Sequence, residues 1–185
     1  MSTFTSRLSV TALVALAATA LPAMSFAQQQ QGKSAKLDDP TIVAIFDAAN
    51  TWDIETGSLA EKKASSKEVR DFGHMIARDH RMVRQQGRDL AKKLGVTPTP
   101  PKDFAMVKDH EAAMKKLESL NGKEFDKAFL AHEVAFHKAV IDAVTTTLLP
   151  AIQNAELKDL VVKVAPAFQA HMAAAENLEK QLAEK

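Results

Sequence analysis

Apolar residues recur at intervals of three and four through five stretches of the chain, and residues that start or stop helices bound each stretch. The first opens at Asp39-Pro40, an acid at the N-cap followed by proline at the first helical position, and carries Ile45, Ala49, Trp52, Thr56 and Leu59 to about Ala64. Ser65 with Glu68 has capping-box spacing and predicts the second helix, with Val69, Phe72, Ile76, His80, Val83, Gly87, Leu90 and Leu94 on one stripe. Gly95 and the Pro98–Pro101 segment stop it. A shorter helix from about Asp103 to Leu120 carries Val107, His110, Met114 and Leu117. A fourth is predicted from Phe125 to Leu149, ended by Pro150, and a fifth is capped by Asn154 and runs from Leu157 to Leu182.

Amphipathic helices of this length bury their stripes only against one another. Short connections after the first and fourth helices imply two antiparallel hairpins, and the shorter third helix serves as the crossover between them. The expected fold is therefore all-α: a ferritin-like antiparallel bundle of four long helices plus a shorter crossover helix. A plain up-and-down array of five helices is the alternative. Composition agrees, with no cysteine, no tyrosine and one tryptophan in 185 residues. The missing cysteine excludes disulfides, thiolate nucleophiles and Cys-ligated metal sites.

Residues 1–27 stand apart from this pattern. Arg7 precedes an apolar run from Leu8 to Leu21, Pro22 breaks it, and Ser25-Phe26-Ala27 offers small residues before a glutamine tract. The run is shorter than the ~20 residues a membrane helix needs, so a cleaved signal peptide is expected, with an uncleaved anchor as the alternative. The protein is then exported, to the periplasm or in association with the outer membrane. Residues 28–38 read as a flexible leader and 39–185 as the bundle domain. Losing Arg7 brings the 24 basic residues level with the 23 acidic ones. That balance argues against a nucleic-acid partner; the oligomeric state is not legible.

Candidate chemistry lies on the apolar stripes. His80, His137 and His171 interrupt three of them, Glu133 sits one turn before His137, and Glu55 shares a face with Ala48, Trp52 and Leu59. A carboxylate or imidazole buried without a partner is costly, so Glu55, His80, Glu133, His137 and His171 are expected to converge inside the bundle. Across the last hairpin Glu133 and His171 are level, each 17 residues from the Pro150 or Asn154 that bounds its helix. Such a cluster is either a hydrogen-bond network that fixes helix register or a site for a divalent or redox metal ion. The residues favour the network, because Glu-x-x-His, the sign of di-iron bundles, does not occur. Asp71 and His74 have a related spacing but lie toward the polar side. Met75 and Met172 each follow a histidine and offer soft thioethers, although helix-face methionine ordinarily packs. Pro166 predicts a kink before His171.

Opposite the apolar stripe of the second helix lie Arg70, His74, Arg78, Arg81, Gln85, Arg88 and Lys92. They could weakly contact an anionic envelope surface; interspersed acids favour a solvated face instead. No phosphate loop, nucleophile elbow or triad spacing occurs, so a non-enzymatic protein is favoured over an enzyme.

Glu55-x-Gly57-x-Leu59-Ala60, Asp79-His80, Phe125-Asp126, His137, and Pro166 with His171 together resemble the pattern of the domain of unknown function 4142 family. The resemblance spans about Pro40 to Leu182. It implies a ferritin-like fold and an exported protein, with Glu55, Asp79, His80, Asp126, His137 and His171 as the family's polar signature. The family usually places tyrosine where this chain has Phe129. No activity follows, since the family has none assigned.

Overall fold

The computed structural model describes residues 37–184; the signal peptide and most of the leader expected from the sequence lie outside them. Helix α1 spans Asp39–Lys63, α2 Lys67–Leu94, α3 Met106–Ser119 and α4 Gly122–Ala143. A π-helical segment, Val144–Leu148, and a single turn, α5 (Leu149–Ala151), precede α6, Ala155–Ala183. No strand occurs among the described residues.

Helices α1 and α2 form one long hairpin and α4 and α6 the other, with α3 crossing between them. Hydrogen bonds at the two ends fix their relative directions. The carboxylate of Asp126, at the start of α4, accepts from Ser65 N at 2.8 Å, Ser66 N at 2.8 Å and Ser65 Oγ at 2.6 Å, just before α2. At the far end Asp39, at the start of α1, accepts from Gln153 N and Asn154 N, both at 2.9 Å, just before α6. Thus α2 runs parallel to α4 and α1 parallel to α6, the connectivity of a ferritin-like bundle.

These bonds also correct two predicted caps. Asp38, not Asp39, caps α1 by accepting from Thr41 N at 2.9 Å, which frees Asp39 to cap the chain before α6. Ser66, not Ser65, is the N-cap of α2, and its side chain makes no capping bond; Asp126 supplies the acceptor from another helix. The end of the fourth predicted helix is also irregular. Thr145 Oγ1 donates back to Ile141 O at 2.9 Å, and Thr146 Oγ1 to Asp142 O at 2.6 Å, where the helix widens into its π turn. Gly95 ends α2 at φ +66°, a left-handed cap that glycine takes without strain. Helix α6 continues through Pro166.

The α1–α2 contact is close because glycine faces backbone. A Cβ on Gly57 would lie 2.7 Å from Gly73 O, and one on Gly73 would lie 2.7 Å from Ala60 Cβ. The basic face of α2 is directed largely at α1: Arg88 pairs with Asp47, Arg84 donates to Thr51 at 3.1 Å, and Arg81 to Ser58 at 2.8 Å. His74 meets Glu61 at 3.1 Å, and Arg70 caps the carbonyls of Ala64 and Ser65.

Apolar side chains fill both ends of the bundle. Ala60, Phe72, Ile76, Phe125, Phe129 and Ala175 pack near the α1–α2 turn, and Ile42, Ala91, Leu148, Ile152, Leu157 and Val161 at the opposite end. Met75 packs against the first group. Between these ends lies a buried polar layer.

Candidate metal centre

Four helices each deliver polar side chains to that layer. From α1 come Asn50, Asp53 and Thr56; from α2, His80; from α4, Glu133 and His137; from α6, His171. Each interrupts its own helix's buried stripe, so packing the apolar neighbours draws the polar groups inward. His80 and Asp53 are 1% exposed, and Glu133 and His137 fully enclosed.

The imidazole rings form a triangle. Centroids are 5.1 Å apart for His80–His171 and 5.5 Å for both His80–His137 and His137–His171. Phe168 closes over two of them, 5.0 Å from His80 and 5.9 Å from His137. His80 Nε2 lies 3.2 Å from His171 Nδ1, and His171 Nε2 lies 3.2 Å from Asp79 Oδ2 at the rim. His80 Nδ1 meets Asn50 Oδ1 at 3.0 Å and lies 3.3 Å from Asp53 Oδ2. His137 Nδ1 donates to the Glu133 carbonyl at 3.0 Å and lies 3.5 Å from Glu133 Oε2 and 4.0 Å from Asp53 Oδ1. Thr56 Oγ1 donates to Glu133 Oε1 at 2.7 Å.

Burial sets the protonation of these groups. Desolvation pushes His80 down to about 2 and His137 down to about 3, each with help from neighbouring rings, and lowers His171 against the opposing pull of Asp79. The rings are therefore neutral and able to ligate. The same desolvation pushes Glu133 up to about 8, and Asp53 well above its ordinary range with a further push from Glu133. Two groups of ligand atoms lie within 4.8 Å of one another: His80, His137 and His171, and Asp53, Glu133 and His137. Two carboxylates and three neutral imidazoles fit a first-row transition-metal ion.

Of the five residues expected to converge, the structure brings together His80, Glu133, His137 and His171. Glu55 is not among them. Its side chain is 49% exposed, and its Oε2 accepts from His110 Nε2 at 2.7 Å, beside Trp52, which stacks on His110 with centroids 5.3 Å apart. Helix α1 is covered on two sides: α3 takes the Trp52–Glu55 face, and the bundle interior takes the face of Asn50, Asp53 and Gly57. Asp53 occupies the position assigned to Glu55. Spacing could have revealed it, because Asn50, Asp53, Gly57 and Ala60 form their own row at three and four. Asp126 serves the helix junction described above, well apart from this group in its hydrogen bonding.

The fold and this layer define a ferritin-like helical bundle with an enclosed histidine–carboxylate cluster. The chain belongs to the family described as a domain of unknown function, DUF4142, whose pattern matches residues 11–178. A solved structure of a DUF305 fragment from Deinococcus radiodurans has the same fold, with a TM-score of 0.67 at 16% sequence identity, covering 77% of this chain and 95% of that one. No curated protein matches the chain.

Proposed function

We propose that this protein is an exported helical bundle that binds a first-row transition-metal ion in its buried polar layer. Export is supported by the apolar run from Leu8 to Leu21 followed by Ser25-Phe26-Ala27. Among the described residues no helix is long and apolar enough to cross a membrane.

One observation carries the metal reading. Among the described residues, the buried side-chain polar atoms without a hydrogen-bond partner are both Asp53 oxygens, Glu133 Oε2, His137 Nε2 and His110 Nδ1. All but the last belong to one cluster. A network whose task is to fix helix register satisfies its members, since each orphaned group costs about 1–3 kcal/mol. Orphaned acceptors gathered around three neutral imidazoles instead call for a positive charge among them, whether each group ligates it or only lies beside it. Enclosure favours binding over turnover, because His80, Glu133 and His137 leave almost no exposed surface for a substrate to reach.

Elemental analysis of the mature protein, purified without an affinity tag, should find a transition metal near stoichiometry. The metal-free protein should melt at higher temperature when Mn, Fe, Zn or Cu is added. Unchanged melting across all four, with no metal in the purified protein, would return the cluster to a purely structural role.

A further inference from the structure

The ring hydrogens of the three histidines can be counted from their neighbours. Asn50 Nδ2 donates to Phe46 O at 2.8 Å, which turns Asn50 Oδ1 toward His80. His80 Nδ1 must then carry the hydrogen, and the nearby Asp53 Oδ2 agrees. A neutral imidazole has one ring hydrogen, so His80 Nε2 presents a lone pair. His171 Nε2 faces the Asp79 carboxylate and donates to it, leaving a lone pair on Nδ1. His137 Nδ1 donates to the Glu133 carbonyl, leaving one on Nε2, which has no partner.

The hydrogens of His80 and His137 thus point to the end of the cluster that holds Asp53 and Glu133, and their lone pairs to the other. At that other end His80 Nε2 and His171 Nδ1 stand 3.2 Å apart, lone pair against lone pair. A proton or a metal ion relieves this. The metal accounts for more, because a proton shared by two rings leaves His137 Nε2 without a partner. Nitrogen ligands about 2.1 Å from a tetrahedral ion lie roughly 3.4 Å from one another, close to the separation observed.

Given the metal-binding reading above, we propose that the ion is held by His80 Nε2, His137 Nε2 and His171 Nδ1, while Asn50, the Glu133 carbonyl and Asp79 position the rings through the opposite nitrogens and the carboxyl groups of Asp53 and Glu133 stay outside its coordination sphere. Metal-ligating histidines characteristically have such partners, which fix tautomer and ring orientation. Three imidazoles leave the fourth tetrahedral position to water and favour zinc or copper(II) over manganese, which prefers oxygen ligands.

The test is metal titration and X-ray absorption spectroscopy on the full-length mature protein loaded with zinc alone. The spectrum should show four light atoms, three of them imidazole nitrogens, and zinc should outcompete manganese. D53N, E133Q and D79N should each still bind one equivalent, 10–100-fold more weakly. H80Q, H137Q and H171Q should lose the site while circular dichroism shows the bundle intact. If five or six atoms surround the zinc, or if folded D53N or E133Q loses binding as completely as the histidine variants, the carboxylates are ligands and this assignment falls, although metal binding stands. A wild-type protein that binds no metal overturns the reading on which the assignment rests.

Discussion

Asp53 and Asp126 are both aspartates with 1% of their surface exposed, and they sit in opposite circumstances. Asp126 accepts three hydrogen bonds from Ser65 and Ser66 and joins the two hairpins. Asp53 accepts none. Burial of a carboxylate therefore does not reveal its purpose; the accounting of its lone pairs does. A satisfied buried acid holds the fold together, whereas an unsatisfied one is a cost that a cation held nearby can offset even without direct ligation.

The largest effect expected from this contrast is at Asp126. Asp126→Ala leaves two backbone amides and a hydroxyl without their acceptor and should cost about 3 kcal/mol, measured by urea unfolding of the metal-free protein. A loss under 1 kcal/mol would mean that water replaces the carboxylate and the contrast is false. Gly57→Ala, which drives a methyl group into the backbone of α2, should cost about 2 kcal/mol in the same measurement.

The pH dependence of the metal-free protein sharpens the comparison further. His80, His137 and His132 are all depressed by burial, His132 to about 4. Unfolded histidine takes a proton below about pH 6.5 and the folded rings do not, so their contribution is present above that pH and lost as the pH falls. Glu133 behaves oppositely: raised to about 8, it stabilises the fold below its unfolded value and loses that contribution as the pH rises through 8. Stability should peak near about pH 6. The alkaline limb owed to Glu133 falls by up to about 1.4 kcal/mol per pH unit, and Glu133→Gln should make that limb shallower. An unchanged limb in the variant would show that Glu133 ionises freely.

Asp53→Asn should raise the stability of the metal-free protein by about 1 kcal/mol, since it removes a buried, unpartnered acid. That sign is opposite to the change at Asp126, and a matching loss at both sites would erase the distinction. Glu55→Ala should be the mildest, below about 1 kcal/mol, because its pairing with His110 is half in solvent.

Much of this arrangement was legible in the residues. His80, Glu133, His137 and His171 could be read because α2, α4 and α6 each present a stripe to the interior, and a polar residue on it stands out. Helix α1 hid Asp53 because apolar side chains cover more than one of its faces, with Trp52 turned to α3 and Asn50 to the axis. Hairpin arithmetic held the missing signal. His80 lies 15 residues beyond Ser65, and the residue 15 before Ser65 is Asn50, its actual partner. Glu55 was out of level by that measure. The Asp126 junction could not be read from periodicity, since the acceptor that begins α2 comes from a residue 60 positions along. Nor does any local pattern report which ring nitrogen carries a hydrogen; that depends on neighbours from other helices.

The glycine crossing at Gly57 and Gly73 sets the tolerance of the centre. Gly57 lies one turn from Asp53, and at that crossing the Gly57 backbone lies directly against the backbone of α2 at Gly73 and Ala77. The hairpin therefore acts as a gauge block that fixes how far Asn50 and Asp53 stand from His80. A wider spacer at either glycine would loosen the grip on that ring, so under the proposed metal reading any preference for one ion over another would be inherited from two residues that touch none of them.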